Sequence, residues 1–153
     1  MGADVSVIVP AYAAAQTIVR AAESVFAQAG VNVELVICAD DEADYGALLP
    51  LDMRAGQALT LCRTPALASG PSVARNIATA QASADIIACL DADDAYAPDR
   101  LRRLLPLVEK RGWPQPVREL VRRVFKEDLA SVERAMAAGA GDASWRDAVR
   151  DGR

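Results

Sequence analysis

Not one histidine occurs in this chain, and cysteine is scarce: Cys38, Cys62 and Cys89 stand apart in apolar stretches with no CxxC spacing. Those absences point away from zinc, haem and imidazole acid–base chemistry, and toward buried free thiols in a reducing compartment. Positive charge is also short. Against 21 Asp and Glu there are 17 Lys and Arg, a net charge of −4. That balance argues against a surface tracking nucleic-acid phosphates, because such surfaces rely on counterion release from clustered Lys and Arg. Long apolar runs are missing as well. The opening MGADVSVIVP has no basic n-region and too few apolar residues for a signal or a membrane span. A cytoplasmic location is expected, with peripheral membrane contact left open.

What is present is enough for one domain with a real core: 153 residues, 52% of them hydrophobic and 25% charged. The basic residues gather late, at Arg100, Arg102, Arg103, Lys110 and Arg111 and again from Arg118 to Lys126. They read as a solvated helix face, the alternative being contact with an anionic partner.

Residues 5–9 form a β-branched run stopped by Pro10, a buried strand. Within 14–28, Ile18, Ala21, Ala22, Val25 and Phe26 recur at helical spacing, and Gly30 marks the end. A second strand spans 33–39 and a third 58–62, with a short helix at 45–51 between them and a loop at 64–72 after them. Residues 73–81 read as an Ala-rich helix capped by Ser72, and 85–90 as a fourth strand. Pro98 opens a helix with Asp99 in its first turn, Pro106 inside it, and Leu101, Leu104, Leu105 and Val108 as its apolar stripe. A further helix is expected over 117–138.

Strands alternating with helices imply a three-layer α/β/α sandwich around a mostly parallel sheet, with helices at the C-terminal end of the chain. Ligands in such sheets bind outside the carboxyl ends of the strands. The polar clusters at 10–12, 40–44 and 91–94 each follow a strand, so they should meet on one rim.

The fourth strand runs into LDADDAYAPDRL. Asp91 and Asp93, two positions apart, suit a divalent cation such as Mn²⁺ or Mg²⁺, which takes one or two carboxylates and completes its shell with water and phosphate oxygens. A diphosphate leaving group needs that cation because charge builds on it as its bond breaks. The plainer alternative is a helix-capping cluster or a solvated acidic turn.

VSVIVPAYAAAQTI, VELVICADDEAD and GPSVARNIATAQASADIIACLDADDAYAPDRL together resemble the successive motifs of family 2 glycosyltransferases, enzymes of the GT-A fold that move a sugar from a nucleotide donor to an acceptor. The resemblance covers residues 4 to about 108. It implies that Pro10, Ala11 and Tyr12 pack on the nucleobase and that Asp40 accepts a hydrogen bond from it. Gly70, Arg75 and Asn76 would line the diphosphate and sugar. In the DxD motif, Asp93 would ligate the metal and Asp91 would lie near the ribose or sugar. The side chains suit these tasks, a Tyr face for stacking and an Arg for phosphate. Each has a plainer reading too: Tyr12 as a rim aromatic, Asp40 and Asp41 as an Asx-type turn, and Arg75 as a helix residue paired with a nearby acid.

Two departures stand out. Ala13 replaces the usual Asn after PAY, and Ala39-Asp40-Asp41-Glu42 stands at the usual DDGS, which bears on base preference. For inversion, a carboxylate must take the acceptor's proton. The resemblance assigns this to Asp128, with Glu127 beside it, in VFKEDLASVERAMAAG. Only 33 residues lie between Asp93 and Glu127, short for the family. The expected division is therefore a nucleotide-sugar half at 1–111 and an abbreviated helical acceptor half at 112–153. The function implied is metal-dependent, inverting transfer from a nucleotide-diphosphate sugar, with UDP favoured. The acceptor, whether saccharide, lipid-linked or protein, is not named by these motifs. The alternative is a nucleotide-binding module without catalysis. A third reading, an aspartate-nucleophile phosphatase, fits poorly because such enzymes carry DxD after their first strand.

Overall fold

The structure, a computed structural model, describes residues 2–49 and 52–110. Four strands, β1 (Val5–Ala11), β2 (Val33–Ala39), β3 (Gln57–Arg63) and β4 (Ile87–Cys89), alternate with α1 (Ile18–Phe26), α2 (Tyr45–Leu48), α3 (Pro71–Gln81) and α4 (Arg100–Lys110). All pairings are parallel, in the order β3-β2-β1-β4. The central strands β1 and β2 are buried on both faces, which is why they read as unbroken apolar runs. Val5, Val7, Val9 and Ala11 share one face with Ile18, Ala22 and Val25 of α1 and Leu101 of α4. Ile8, Val36 and Cys38 meet Ala74 and Ala78 of α3 on the other. The expected α/β/α sandwich is the observed one. Each fully buried Ile or Val here contributes about 1.5–3 kcal/mol by leaving water.

Several boundaries differ from expectation. β1 runs through Pro10 to Ala11. The Ser6 N–H donates to the Ile86 carbonyl at 2.9 Å and the Leu90 N–H to the Ile8 carbonyl at 3.1 Å. The even-numbered residues of β1 therefore face β4, and the next in that series is Pro10, which has no N–H. Pro10 ends the β1–β4 ladder while β1 stays paired with β2 as far as Ala11–Ala39. β4 is accordingly three residues long rather than six. α1 begins at Ile18, not Ala14, because residues 14–17 form a turn in which Thr17 and Ile18 N–H groups both reach the Ala14 carbonyl. α2 stops at Leu48. α3 begins at Pro71 with Gly70 as its N-cap, so Ser72 is not the cap: proline suits the first helical position, where an N–H has no partner to lose. α4 begins at Arg100 rather than Pro98. Among the described residues no helix is long and apolar enough to cross a membrane. The helix expected at 117–138, and the segment 112–153 with it, lie outside the described residues.

At the opposite end of the sheet from the polar rim, Glu34 is buried at 4% exposure. It accepts hydrogen bonds from Ser6 Oγ (2.5 Å), Thr60 Oγ1 (3.0 Å), and the Ser83 N–H (2.7 Å) and Oγ (2.8 Å). One carboxylate thus joins β1, β2, β3 and the turn before β4. Burial alone would raise its pKa, and the donors outweigh burial, so the carboxyl sits below its ordinary value. A depressed folded-state pKa means this stability is present above the unfolded value and disappears as pH falls through the folded one. Glu34→Gln should therefore cost about 1–3 kcal/mol at neutral pH by leaving buried donors unmatched. In thermal unfolding, the gap between wild type and variant should narrow between pH 7 and pH 3. A gap that is constant over that range would contradict the assignment.

Candidate functional site

The rim at the carboxyl ends of β1, β2 and β4 opens into a cleft of about 750 Å³. Its walls come from four segments: Pro10 to Ala14 and Thr17; Asp40; Ala68, Gly70, Pro71, Ala74 and Arg75; and Asp91, Ala92 and Asp93. The expected convergence is observed. Pro10, Ala11, Tyr12, Asp40, Gly70, Arg75, Asp91 and Asp93 all line one cavity. Asn76, half-buried one step along α3, is not among the lining residues. Glu127 and Asp128 lie outside the described residues.

Asp40 is buried, at 4% exposure. Its Oδ1 accepts from Thr64 Oγ1 at 2.7 Å and the Ser69 N–H at 2.8 Å, and its Oδ2 from the Gly70 N–H at 2.8 Å. Burial would raise this carboxyl, but Thr64, Gly70 and Ser69 more than offset it, and the group is held below its ordinary value. An ionised carboxylate offers about four acceptor positions, so roughly one remains for a ligand. Asp41 has a different task. Its Oδ2 accepts the Ala13 N–H at 2.6 Å and the Tyr45 hydroxyl at 2.8 Å, and its Oδ1 the Ala43 N–H at 3.2 Å. The Tyr45 oxygen in turn accepts the Ala14 N–H at 3.2 Å. Burial, reinforced by the Asp41 carboxylate, pushes the Tyr45 phenol up.

The phosphate-type groups sit opposite. Gly70 adopts φ +99°, a conformation only glycine takes freely, and sets the N-terminus of the eleven-residue α3 on the cleft, where its partial positive charge falls. Arg75 Nη2 lies 2.8 Å from Asp91 Oδ1, with both side chains substantially exposed at 36% and 55%. Such an exposed pair is worth only about 0–1 kcal/mol, so a ligand can exchange it cheaply. Tyr12 is 61% exposed at the mouth. Arg20 of α1 donates to the Asp93 carbonyl. Sequence reasoning passed over Arg20 and Tyr45; Asp41, read there as part of an Asx-type turn, does accept the N–H two residues on. Nothing local marks a single Arg on a helix or a Tyr at the first position of a short one.

The donor chemistry at the acidic turn fits a hard cation. Asp91 and Asp93 are exposed carboxylates on the same cleft wall. Among the described residues no group of three or more His, Cys, Asp or Glu gathers to hold a metal unaided. Asp91 and Asp93 would be the residues to hold Mg²⁺ or Mn²⁺, ions that take one or two carboxylates together with substrate phosphates.

Two non-glycine residues on the cleft have left-handed backbones, Ala13 at φ +51° and Ala68 at φ +52°. Asparagine tolerates that region and alanine does so at a cost, which gives the departure from Asn at position 13 a physical price. Ala13→Asn should raise stability by about 0.5–1 kcal/mol, visible as a midpoint about 2–4 °C higher in a thermal melt. A lowered midpoint would count against the strain.

Comparisons with known proteins bear on the family and the fold. The model of "Glycosyl transferase family 2" matches residues 6–120. The chain is 42% identical over 113 residues to the succinoglycan biosynthesis protein ExoO of Rhizobium meliloti, covering 71% of this chain and 31% of that one. It is 35% identical over 106 residues to the UDP-Glc:alpha-D-GlcNAc-diphosphoundecaprenol beta-1,3-glucosyltransferase WfgD of Escherichia coli, covering 69% and 41%. The chain spans about a third of the length of the curated relatives it matches. Among solved structures, S. aureus TarS 1–349 in complex with UDP-GlcNAc superposes with a TM-score of 0.61 at 24% identity, covering 71% of this chain and 32% of that one. The mannosyltransferase PcManGT from Pyrobaculum calidifontis, in complex with GDP-Man and Mn²⁺, gives 0.58 at 25%, covering 74% and 34%.

Proposed function

The chain belongs to glycosyl transferase family 2, and on that premise we propose that its cleft binds a nucleotide-diphosphate sugar, with UDP as the nucleotide, for inverting transfer to an acceptor. One observation carries the reading: Tyr12, Asp40, Gly70, Arg75, Asp91 and Asp93, from four separate segments, line a single cavity at the strand ends. In this proposal the Tyr12 ring and the Pro10–Ala11 backbone receive the base. The remaining acceptor capacity of Asp40 takes an N–H of the base, the loop it holds closing that end. Arg75 and the N-terminus of α3 meet the diphosphate. Asp91 turns from Arg75 toward the ribose or sugar as Arg75 takes up phosphate. Asp91 and Asp93 supply hard oxygens to Mn²⁺ or Mg²⁺, which when bound offsets charge on the departing diphosphate. Asp128, flanked by Glu127, takes the acceptor's proton while the acceptor oxygen bonds to the anomeric carbon and the bond to diphosphate breaks.

Binding of GDP-Man and Mn²⁺ by the mannosyltransferase and of UDP-GlcNAc by TarS supports a nucleotide-sugar donor and a divalent ion. Because the chain spans about a third of its relatives, a second reading is a donor-binding module that does not transfer. Calorimetric titration of UDP, GDP and dTDP, with and without Mn²⁺, separates these ideas. UDP affinity should rise at least about tenfold, roughly 1.4 kcal/mol, when Mn²⁺ is present, and Asp93→Ala should remove that gain. If Mn²⁺ alters affinity for none of the three, the metal role is wrong. Turnover of a UDP-sugar that Asp128→Asn abolishes without changing UDP affinity supports the transferase. Metal-dependent binding without turnover on any acceptor supports the module.

A further inference from the structure

We infer that Arg20 is a positioning residue that fixes the acidic turn carrying Asp91 and Asp93, backed by Ser24 of the same helix and by Gln28 just past its C-terminal end. Arg20 and Ser24 are four apart on α1 and so share a face, and Gln28, beyond the helix end, continues that line by donating from Nε2 to the Ser24 carbonyl at 3.1 Å. Each bonds the main chain of the segment after β4. The Arg20 guanidinium donates to the Asp93 carbonyl. Ser24 Oγ accepts the Tyr96 N–H at 3.0 Å. Gln28, which is 94% buried, donates from Nε2 to the Ala97 carbonyl at 2.7 Å and accepts the Leu101 N–H on Oε1 at 2.9 Å. Contacts to main chain fix the path of a segment whatever its side chains are.

The three divide by depth. Gln28 and Ser24 lie under the segment and set its course into α4. Arg20 is exposed and reaches the acidic turn itself. That turn is closed by the Asp94 N–H on the Asp91 carbonyl at 3.0 Å. From the other side of the sheet, Arg75 of α3 holds the Asp91 carboxylate at 2.8 Å. The two acids are thus fixed by two arginines on opposite helical layers, one gripping a side chain and the other a backbone. An exposed contact such as that of Arg20 adds little to global stability. Its effect is local: it keeps Asp93 turned to the cleft beside Asp91, with a positive charge near two negative ones.

This inference rests on the proposed metal–diphosphate role of Asp91 and Asp93. Its test uses the whole 153-residue chain, with UDP and Mn²⁺ as probes, comparing wild type, Asp93→Ala, Arg20→Met and Arg20→Lys by calorimetry and thermal melting. Arg20→Met should cut the Mn²⁺-dependent gain in UDP affinity by about tenfold, the scale of contacts that orient metal ligands. UDP affinity without Mn²⁺ should stay within about twofold and the melting midpoint within about 2 °C, as befits an exposed side chain. Arg20→Lys, which keeps a donor and a charge, should recover most of the gain. An unchanged gain in Arg20→Met, or a parallel fall in metal-free affinity, overturns the inference. A gain that vanishes in Asp93→Ala and survives in Arg20→Met refutes the positioning role alone. A wild type with no gain refutes both it and the metal role it rests on.

Discussion

The carboxylate of Asp40 organises the rim. A buried charge is tolerable only when it is well hydrogen-bonded, and among the described residues no cation forms an ion pair with this one. Its partners are a hydroxyl and two backbone N–H groups from one loop, Thr64, Ser69 and Gly70. To reach it, the chain leaving β3 must fold back over the tip of β2 and enter α3 at the cleft. The Ala68 N–H on the Asp40 carbonyl, at 2.9 Å, tightens the same return. The placement of Gly70 and Arg75 follows from where that loop is drawn. Asp40 is as much an architect of the cavity as a wall of it.

Much of this was legible in the sequence, for identifiable reasons. β1 and β2 are buried on both faces, so their cores stand out as β-branched runs, and the alternation with helices dictates a parallel sheet and hence a common rim. What escaped were single polar residues whose partners are remote in sequence. Glu34 interrupts VELVICA with no local excuse, yet its donors lie 26, 28 and 49 positions away. Arg20 reaches across 73 positions to the Asp93 carbonyl. Three of the four helix starts were misread, by two to four residues: in α3 serine and proline both signal a beginning and only the fold decides between them, Pro98 precedes α4 rather than opening it, and a turn over 14–17 precedes α1. β4 is shorter than its apolar run because a strand lasts only as long as its neighbour can pair with it.

The acidic loop is held from both faces of the sheet rather than within its own segment. Its acids follow β4, and the two arginines that bond it come from α1 and α3, Arg20 on the Asp93 carbonyl and Arg75 on the Asp91 carboxylate. No local composition reveals this arrangement. LDADDAYAPDRL looks overcharged alone, and it becomes reasonable only when both helical layers are in place. The same division separates tasks, since a guanidinium bound to a carboxylate can be displaced by phosphate while one bound to a carbonyl stays put.

Pro10 bears on how freely this rim can vary. The parting of β1 from β4 is written into the backbone of one residue, as a hydrogen atom that is not there. Side chains bordering the gap therefore have no duty to wedge it open, and so many of them are alanines: Ala11, Ala13, Ala14, Ala68, Ala74 and Ala92. Apart from Asp40, whose carboxylate holds the loop into α3, residues that meet a ligand can then be exchanged one at a time, retuning what the cavity prefers while the parting of the strands stays fixed by the main chain.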